Sequence, residues 1–353
     1  MKLGLVGLPQ VGKRTLFRLL AGQEANLNGG RGLGLARVRD ARFERLVSMY
    51  RPKKVTPAQI AFALLPDLGE QAERNAQVFK ELEQVDAICH LIRAFPDETV
   101  FHVEGSVDPR RDALAFHEEL QFNDMLFVEK RLERLGKERG KKADAQRVAL
   151  ETDLLARMRA HLEAGRPLRS FGFTDDEQRL IGSYPLLTRK PVIQALNVGE
   201  DALRDAGLVD RLATDLSGQA FEWIAVSAKI EEEISQLGPE EREAFLRALH
   251  VDRPALDRLT LLCYGALGLI SFFTVGPDEV RAWTIRRGSL APQAARAIHA
   301  DLERGFIRAE VMRYRDLEEM GNEQRLKESG RLMQKGRDYV VEDGDIVHFL
   351  CKV

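Results

Sequence analysis

The sequence predicts an α/β protein: a doubly wound domain, an antiparallel helical hairpin inserted into it, and a C-terminal β-grasp (ubiquitin-like) domain. Three observations lead there. Short apolar runs rich in β-formers alternate with helical stretches over residues 2–228, as strands and helices wound into one sheet do. Residues 112–166 carry helical periodicity and no strand-like run. Beyond Pro254, several strand-like runs surround one main helix.

The run "KLGLVG" (2–7) opens the alternation as a short strand, and "KRTLFRLLAG" then places Leu16, Leu19 and Leu20 at helical spacing. "QIAFALL" (59–65), "AICHLIRAF" (87–95), "PVIQALNV" (191–198) and "FEWIAVSA" (221–228) read as buried parallel strands, separated by helices such as "NAQVFKELEQ" (75–84). In the inserted segment Val148, Leu155 and Leu162 recur every seven residues, and Val128, Leu132 and Leu135 form a matching stripe upstream. "GKERGKKAD" (136–144) breaks the two, which makes an antiparallel coiled coil. After "LTLLCYGALGLISFFTV" (259–275) come "EVRAWTI" (279–285), a helix "PQAARAIHADLERG" (292–305), "FIRAEVMRY" (306–314) and "DYVVEDGDIVHFLCKV" (338–353). The "EDGD" in the last run reads as a hairpin turn. The division that results is 1–111 with 183–253, then 112–182, then 254–353.

Composition narrows the function classes. An apolar fraction of 44% suffices for ordinary cores, and a formal charge of −2 gives no general pull toward polyanions, so any nucleic-acid surface is a local patch. Cys89, Cys263 and Cys351 lie far apart with no CxxC spacing, so neither a zinc knuckle nor a disulfide framework is encoded. The N-terminal apolar stretch is too short for a signal peptide, and no run reaches the roughly 20 apolar residues of a membrane helix. The expectation is a soluble, cytoplasmic protein with no membrane partner.

"GLVGLPQVGKRT" (4–15) carries the chemistry. Gly7, four residues, Gly12 and Lys13, set between a strand and a helix, form a phosphate-binding loop. Backbone N–H groups and a helix N-terminus converge there on a phosphate. The loop makes Gly7, Pro9, Gln10, Val11, Gly12, Lys13, Arg14 and Thr15 candidate nucleotide-binding residues. After the lysine such loops carry Ser or Thr, whose hydroxyl binds Mg²⁺. Arg14 has no acceptor atom and is always charged. Thr15 points about 100° away along the helix.

The chain resembles the YchF family of Obg-like P-loop ATPases. "VRAWTIRRGSLAPQAARAIHADLERGFIRAEV" with "GRDYVVEDGDIVHF" is similar to that family's C-terminal TGS domain. "NVGE" (197–200) is similar to its base-recognition segment, which implies roles for Asn197 and Glu200. "SAKIEEEISQL" (227–237) is similar to its last nucleotide loop, which brings in Ser227, Ala228 and Lys229. The inserted hairpin is also a family feature. His102 matches a histidine placed beside the attacking water in relatives; an isolated histidine is otherwise structural. The resemblance implies a purine nucleotide, ATP or GTP, and a monomer acting on the ribosome or structured RNA. The coiled-coil arm, whose turn carries Lys137, Arg139, Lys141 and Lys142, and the TGS domain would make that contact. The same turn also reads as an ordinary solvated loop tip.

Departures from the family pattern fall on magnesium. Asn and Ser are usual in place of Gln10 and Arg14. The region "ANLNGGRGLGLARVRD" lacks the switch I threonine, and Leu64 falls where the switch II aspartate belongs. Three magnesium-linked positions have lost their oxygens, so the expectation is nucleotide binding with weak or absent hydrolysis and no ordinary Mg²⁺ site. Two rivals stand: an active ATPase whose metal is held by Asp67 or Glu70, and a loop that stays empty. Arg14 likewise has two readings, one placing its guanidinium on phosphate oxygens and one swinging it to a surface carboxylate.

Overall fold

The structure is a computed structural model that describes residues 1–22, 26–28, 31–69, 72–138, 145–203, 207–249, 251 and 253–352. Its described strands are β1 (Lys2–Val6), β2 (Asn26–Asn28), β3 (Arg31–Arg37), β4 (Lys54–Thr56), β5 (Gln59–Leu64), β6 (Ala87–Ala94), β7 (Val192–Val198), β8 (Glu222–Val226), β9 (Leu269–Thr274), β10 (Glu279–Arg286), β11 (Phe306–Arg313), β12 (Met333–Lys335) and β13 (Asp345–Cys351). They make a seven-stranded sheet of order β2-β3-β5-β1-β6-β7-β8 and a six-stranded sheet of order β12-β11-β13-β9-β10-β4. The chain clusters into two compact units, residues 1–34 with 61–259 and residues 35–60 with 260–353.

The first unit is doubly wound. β5, β1, β6, β7 and β8 run parallel. All seven residues of β7 and seven of the eight in β6 are buried, because helices cover both faces of such a sheet. Helix Lys13–Ala21 follows β1 and buries Leu16, Phe17 and Leu20. Helices Pro109–Glu138 and Ala145–Glu163 form the hairpin. At 1.5 Å per residue the first is about 45 Å long. Val128, Leu135, Leu154, Leu155, Met158 and Leu162 close its seam, with Leu132 and Val148 packed alongside. Arg139, Lys141 and Lys142, read as a basic tip, lie outside the described residues.

The second unit is the β-grasp. β9 and β10 are an antiparallel hairpin, β11 pairs antiparallel with β13, and β13 lies parallel to β9. Helix Ala291–Ile298 buries Ala291, Ala294 and Ala295 in a core with Phe272, Phe306 and Val347. β4 extends this sheet by pairing parallel with β10.

Two details differ from the sequence reading. The helix over 292–305 is broken: Ala291–Ile298 ends, His299 is extended, and its Nδ1 accepts from Asp301 N at 3.2 Å to begin Ala300–Arg304. The "EDGD" stretch is a turn, with Asp345 N donating to Glu342 O at 3.2 Å, but it joins no hairpin. The residues before it bond elsewhere: Ala291 N donates to Tyr339 O at 2.8 Å and Val341 N to Ser289 O at 3.0 Å. Among the described residues no helix is long and apolar enough to cross a membrane.

Candidate functional site

The site begins where β1 ends. Gln10 at φ 60° and Gly12 at φ 91° curl the loop ahead of helix Lys13–Ala21, and Gly12 is that helix's N-cap. Such a curl turns successive backbone N–H groups toward one point and adds the positive end of the helix dipole. Glycine is required at both ends of the loop. A Cβ on Gly7 would come within 2.5 Å of Leu91 O, and one on Gly12 within 2.4 Å of Asn197 Nδ2.

Asn197, near the end of β7, braces the loop. Its buried Nδ2 donates to Val11 O at 2.8 Å, and its Oδ1 accepts from Ala228 N at 3.0 Å. One amide therefore joins the phosphate loop to the segment after β8. There Ser227 caps helix Ala228–Gln236 by accepting from Ile230 N at 3.5 Å. Nδ2 keeps a second hydrogen and Oδ1 a second lone pair for another partner. The candidates Gly7, Val11, Gly12, Lys13, Asn197, Ser227 and Ala228 are buried or nearly so, while Gln10, Arg14, Glu200 and Lys229 are exposed and Pro9 and Thr15 are half-buried. Glu200 starts the short helix Glu200–Leu203.

Lys13 is held by protein oxygens. Its Nζ lies 2.9 Å from Pro66 O, 3.3 Å from Gly7 O and 2.9 Å from Asp67 Oδ1. Burial lowers its pKa, and the Asp67 carboxylate opposes that shift. Nearby, burial pushes His90 down to about 3, and its Nδ1 meets Gln194 Oε1 at 2.8 Å. His90 is thus neutral at pH 7, which suits a neighbour of the Lys13 cation.

The other positions singled out by the sequence hold structural places or fall outside the described residues. Leu64 is buried hydrocarbon opposite Leu5 in the sheet. His102 is buried where the hairpin begins; Glu104 N donates to its Nδ1 at 3.2 Å, and its Nε2 is 3.2 Å from Asp112 Oδ2. Glu70 lies outside the described residues.

The sequence offers Asp67 only as a metal ligand and leaves a second residue unassigned, whereas the structure pairs Asp67 with Lys13. Arg93, in register with Asn197 across β6 and β7, is among the largest fully buried side chains. Its guanidinium donates to Phe95 O at 3.1 Å, Asp97 O at 3.0 Å and Val100 O at 2.7 Å, pinning the loop after β6. An arginine in the otherwise apolar run "AICHLIRAF" was the signal, since a charge buried there needs partners.

Comparison with known proteins gives a consistent result. The family model YchF-GTPase_C, described as a protein of unknown function (DUF933), matches residues 269–352. The Ribosome-binding ATPase YchF of Bacillus subtilis is 40% identical, over 99% of each chain. The human Obg-like ATPase 1 is 35% identical over 99% of this chain and 92% of its own. The structure of the Schizosaccharomyces pombe YchF GTPase superposes with a TM-score of 0.86 at 33% identity, covering 99% of this chain and 97% of that one. With sequence and fold alike matched from end to end, and with the phosphate loop braced at the head of its helix, this chain belongs to the YchF family.

Proposed function

We propose that this protein binds a purine nucleotide, ATP or GTP, on the loop Gly7–Thr15, hydrolyses it weakly or not at all, and works as a ribosome- or RNA-associated module. The observation that supports the reading is the Asn197 amide, which ties Val11 to Ala228 and would so hold the phosphate and base ends of one site together. Backbone N–H groups at the curl and Lys13 would hold phosphates. Asn197 and Glu200 would meet the base, with Ser227, Ala228 and Lys229 beside them. In this reading residues 1–111 and 183–253 form the nucleotide domain, 112–182 the arm and 254–353 the C-terminal domain, with residues 35–60 an excursion of the first that clusters with residues 260–353. The Bacillus subtilis relative is named a ribosome-binding ATPase, and the arm and C-terminal domain are the parts proposed to make that contact here. His102 is better read as an anchor of the arm than as a catalytic group, because its ring meets Glu104 and Asp112.

An ordinary magnesium site does not fit these residues. Arg14 offers only donors, Leu64 is buried in the sheet, and the Asp67 carboxylate is drawn onto Lys13. Metal and clamp charges supply much of the stabilisation in phosphoryl transfer. Phosphate release measured with ATP and GTP in Mg²⁺ is therefore expected at background, unchanged by Lys13→Ala. Magnesium-dependent turnover that Lys13→Ala abolishes would reject the reading in favour of an active ATPase. Thermal shifts with ATP, GTP, ADP and GDP test the binding itself, and co-sedimentation with ribosomes tests the partner.

A further inference from the structure

Asp67 has a bearing on which nucleotide the loop accepts. β5 flanks β1 on one side, while β6 and β7 lie on the other. The chain leaving β5 is laid along the phosphate loop: Leu65 N donates to Leu5 O at 3.0 Å and Leu68 N to Gly7 O at 3.1 Å. That course delivers Asp67 Oδ1 to within 2.9 Å of Lys13 Nζ. With Pro66 O and Gly7 O at 2.9 and 3.3 Å, the ammonium has an oxygen for each of its three hydrogens. Lys13 is 3% exposed and cannot follow a ligand outward, whereas Asp67 is 39% exposed and can be displaced into water.

Strand order gives this carboxylate its meaning. The base-side residues are Asn197, near the carboxyl end of β7, and Glu200, just beyond it, so a nucleotide lying across the carboxyl ends of the strands points its phosphates toward β5. Asp67 stands at that end. A terminal phosphate arriving there competes with the carboxylate for one ammonium, and the two like charges repel. A shorter phosphate tail meets less of both effects.

We propose that Asp67 is a specificity-determining residue that counts phosphates, setting the site to favour a nucleoside diphosphate over the triphosphate. This rests on the nucleotide-binding reading above. The test is calorimetry in metal-free buffer with ADP, ATP, GDP and GTP, on the wild type, Asp67→Asn and Asp67→Ala. The wild type is expected to bind the diphosphate of the preferred base about tenfold more tightly than its triphosphate. Both variants should gain triphosphate affinity by about tenfold and hold the diphosphate within about threefold, collapsing the ratio. Without ligand both should also melt at lower temperature, because buried Lys13 loses its counter-charge. If the variants keep the wild-type ratio, or the wild type shows no preference, the nucleotide site stands and the role of Asp67 falls. If none of the three proteins binds any nucleotide, the reading of the site fails and takes this inference with it.

Discussion

Asn197 and Arg14 make opposite demands on the phosphate loop. Asn197 is a structural member. Removing its amide strands Val11 O and Ala228 N, both satisfied by it now. Asn197→Ala is expected to cost about 2–4 kcal/mol, two buried backbone groups losing their partners, read from urea unfolding midpoints. Nucleotide-induced thermal shifts should vanish in the same variant. Arg14 is exposed. If its guanidinium meets phosphate oxygens, Arg14→Ser weakens nucleotide binding in EDTA about tenfold to hundredfold, the worth of one charge-assisted hydrogen bond. It should not restore hydrolysis, because Leu64 still fills the place of an aspartate. Calorimetry decides, and equal affinities would mean that Arg14 points away from the ligand.

At the scale of elements, the glycine-rich stretch around Gly32 and Gly34 is strand. β3 pairs antiparallel with β2, placing Leu33 opposite Asn26 and Gly32 opposite Leu27; Gly29 and Gly30 lie outside the described residues. Having no threonine to close on a γ-phosphate, β3 is expected to exchange its amide hydrogens at the same rate with di- and triphosphate bound. A difference localised to residues 31–37 in hydrogen-exchange mass spectrometry would count against this. What was legible in the sequence follows burial. β6 and β7 are covered on both faces and read as continuous apolar runs, and the hairpin seam read at heptad spacing because each helix buries one stripe. β4 was not legible: its three residues are KVT, none fully buried, and its partner β10 begins at Glu279. Lys13–Asp67 and Asn197–Val11 escaped for another reason. Each joins residues far apart in sequence, and neither side chain announces its partner.

For the molecule as a whole, acid is the expected weakness. His90 and His117 are buried, with pKa values pushed down to about 3. Both ring nitrogens of His117 lack a hydrogen-bond partner among the described residues. Their pKa values are depressed in the fold, so the unfolded chain takes up protons near pH 6.5 while the folded one does not until about pH 3. Stability is therefore full above pH 6.5 and falls as pH drops toward 3, by at most about 1.4 kcal/mol per pH unit for each histidine. Burial raises Asp124 to about 6, which runs the other way, adding stability as pH falls from 6 toward 4. Burial also raises Glu231 and Asp345 and lowers His161. His90 and His117 move furthest from their ordinary value, so urea midpoints are expected to decline from pH 7 to pH 4.5, and His117→Leu should flatten the decline. The division of the chain has a consequence for the order in which the protein is made. Residues 35–60 belong with residues 260–353, yet the whole of 61–259 is translated between them. At the usual 5–20 residues per second that interval is roughly 10–40 s. Throughout it Phe43, whose ring will sit 6.1 Å from that of Phe273, has no finished core to enter. The nascent chain must carry this amphipathic segment, with Phe43 and Leu46 uncovered, past the ribosome exit while the residues on either side of it build the doubly wound unit. Chaperones that shield such segments during translation would find a target in Ala41–Tyr50.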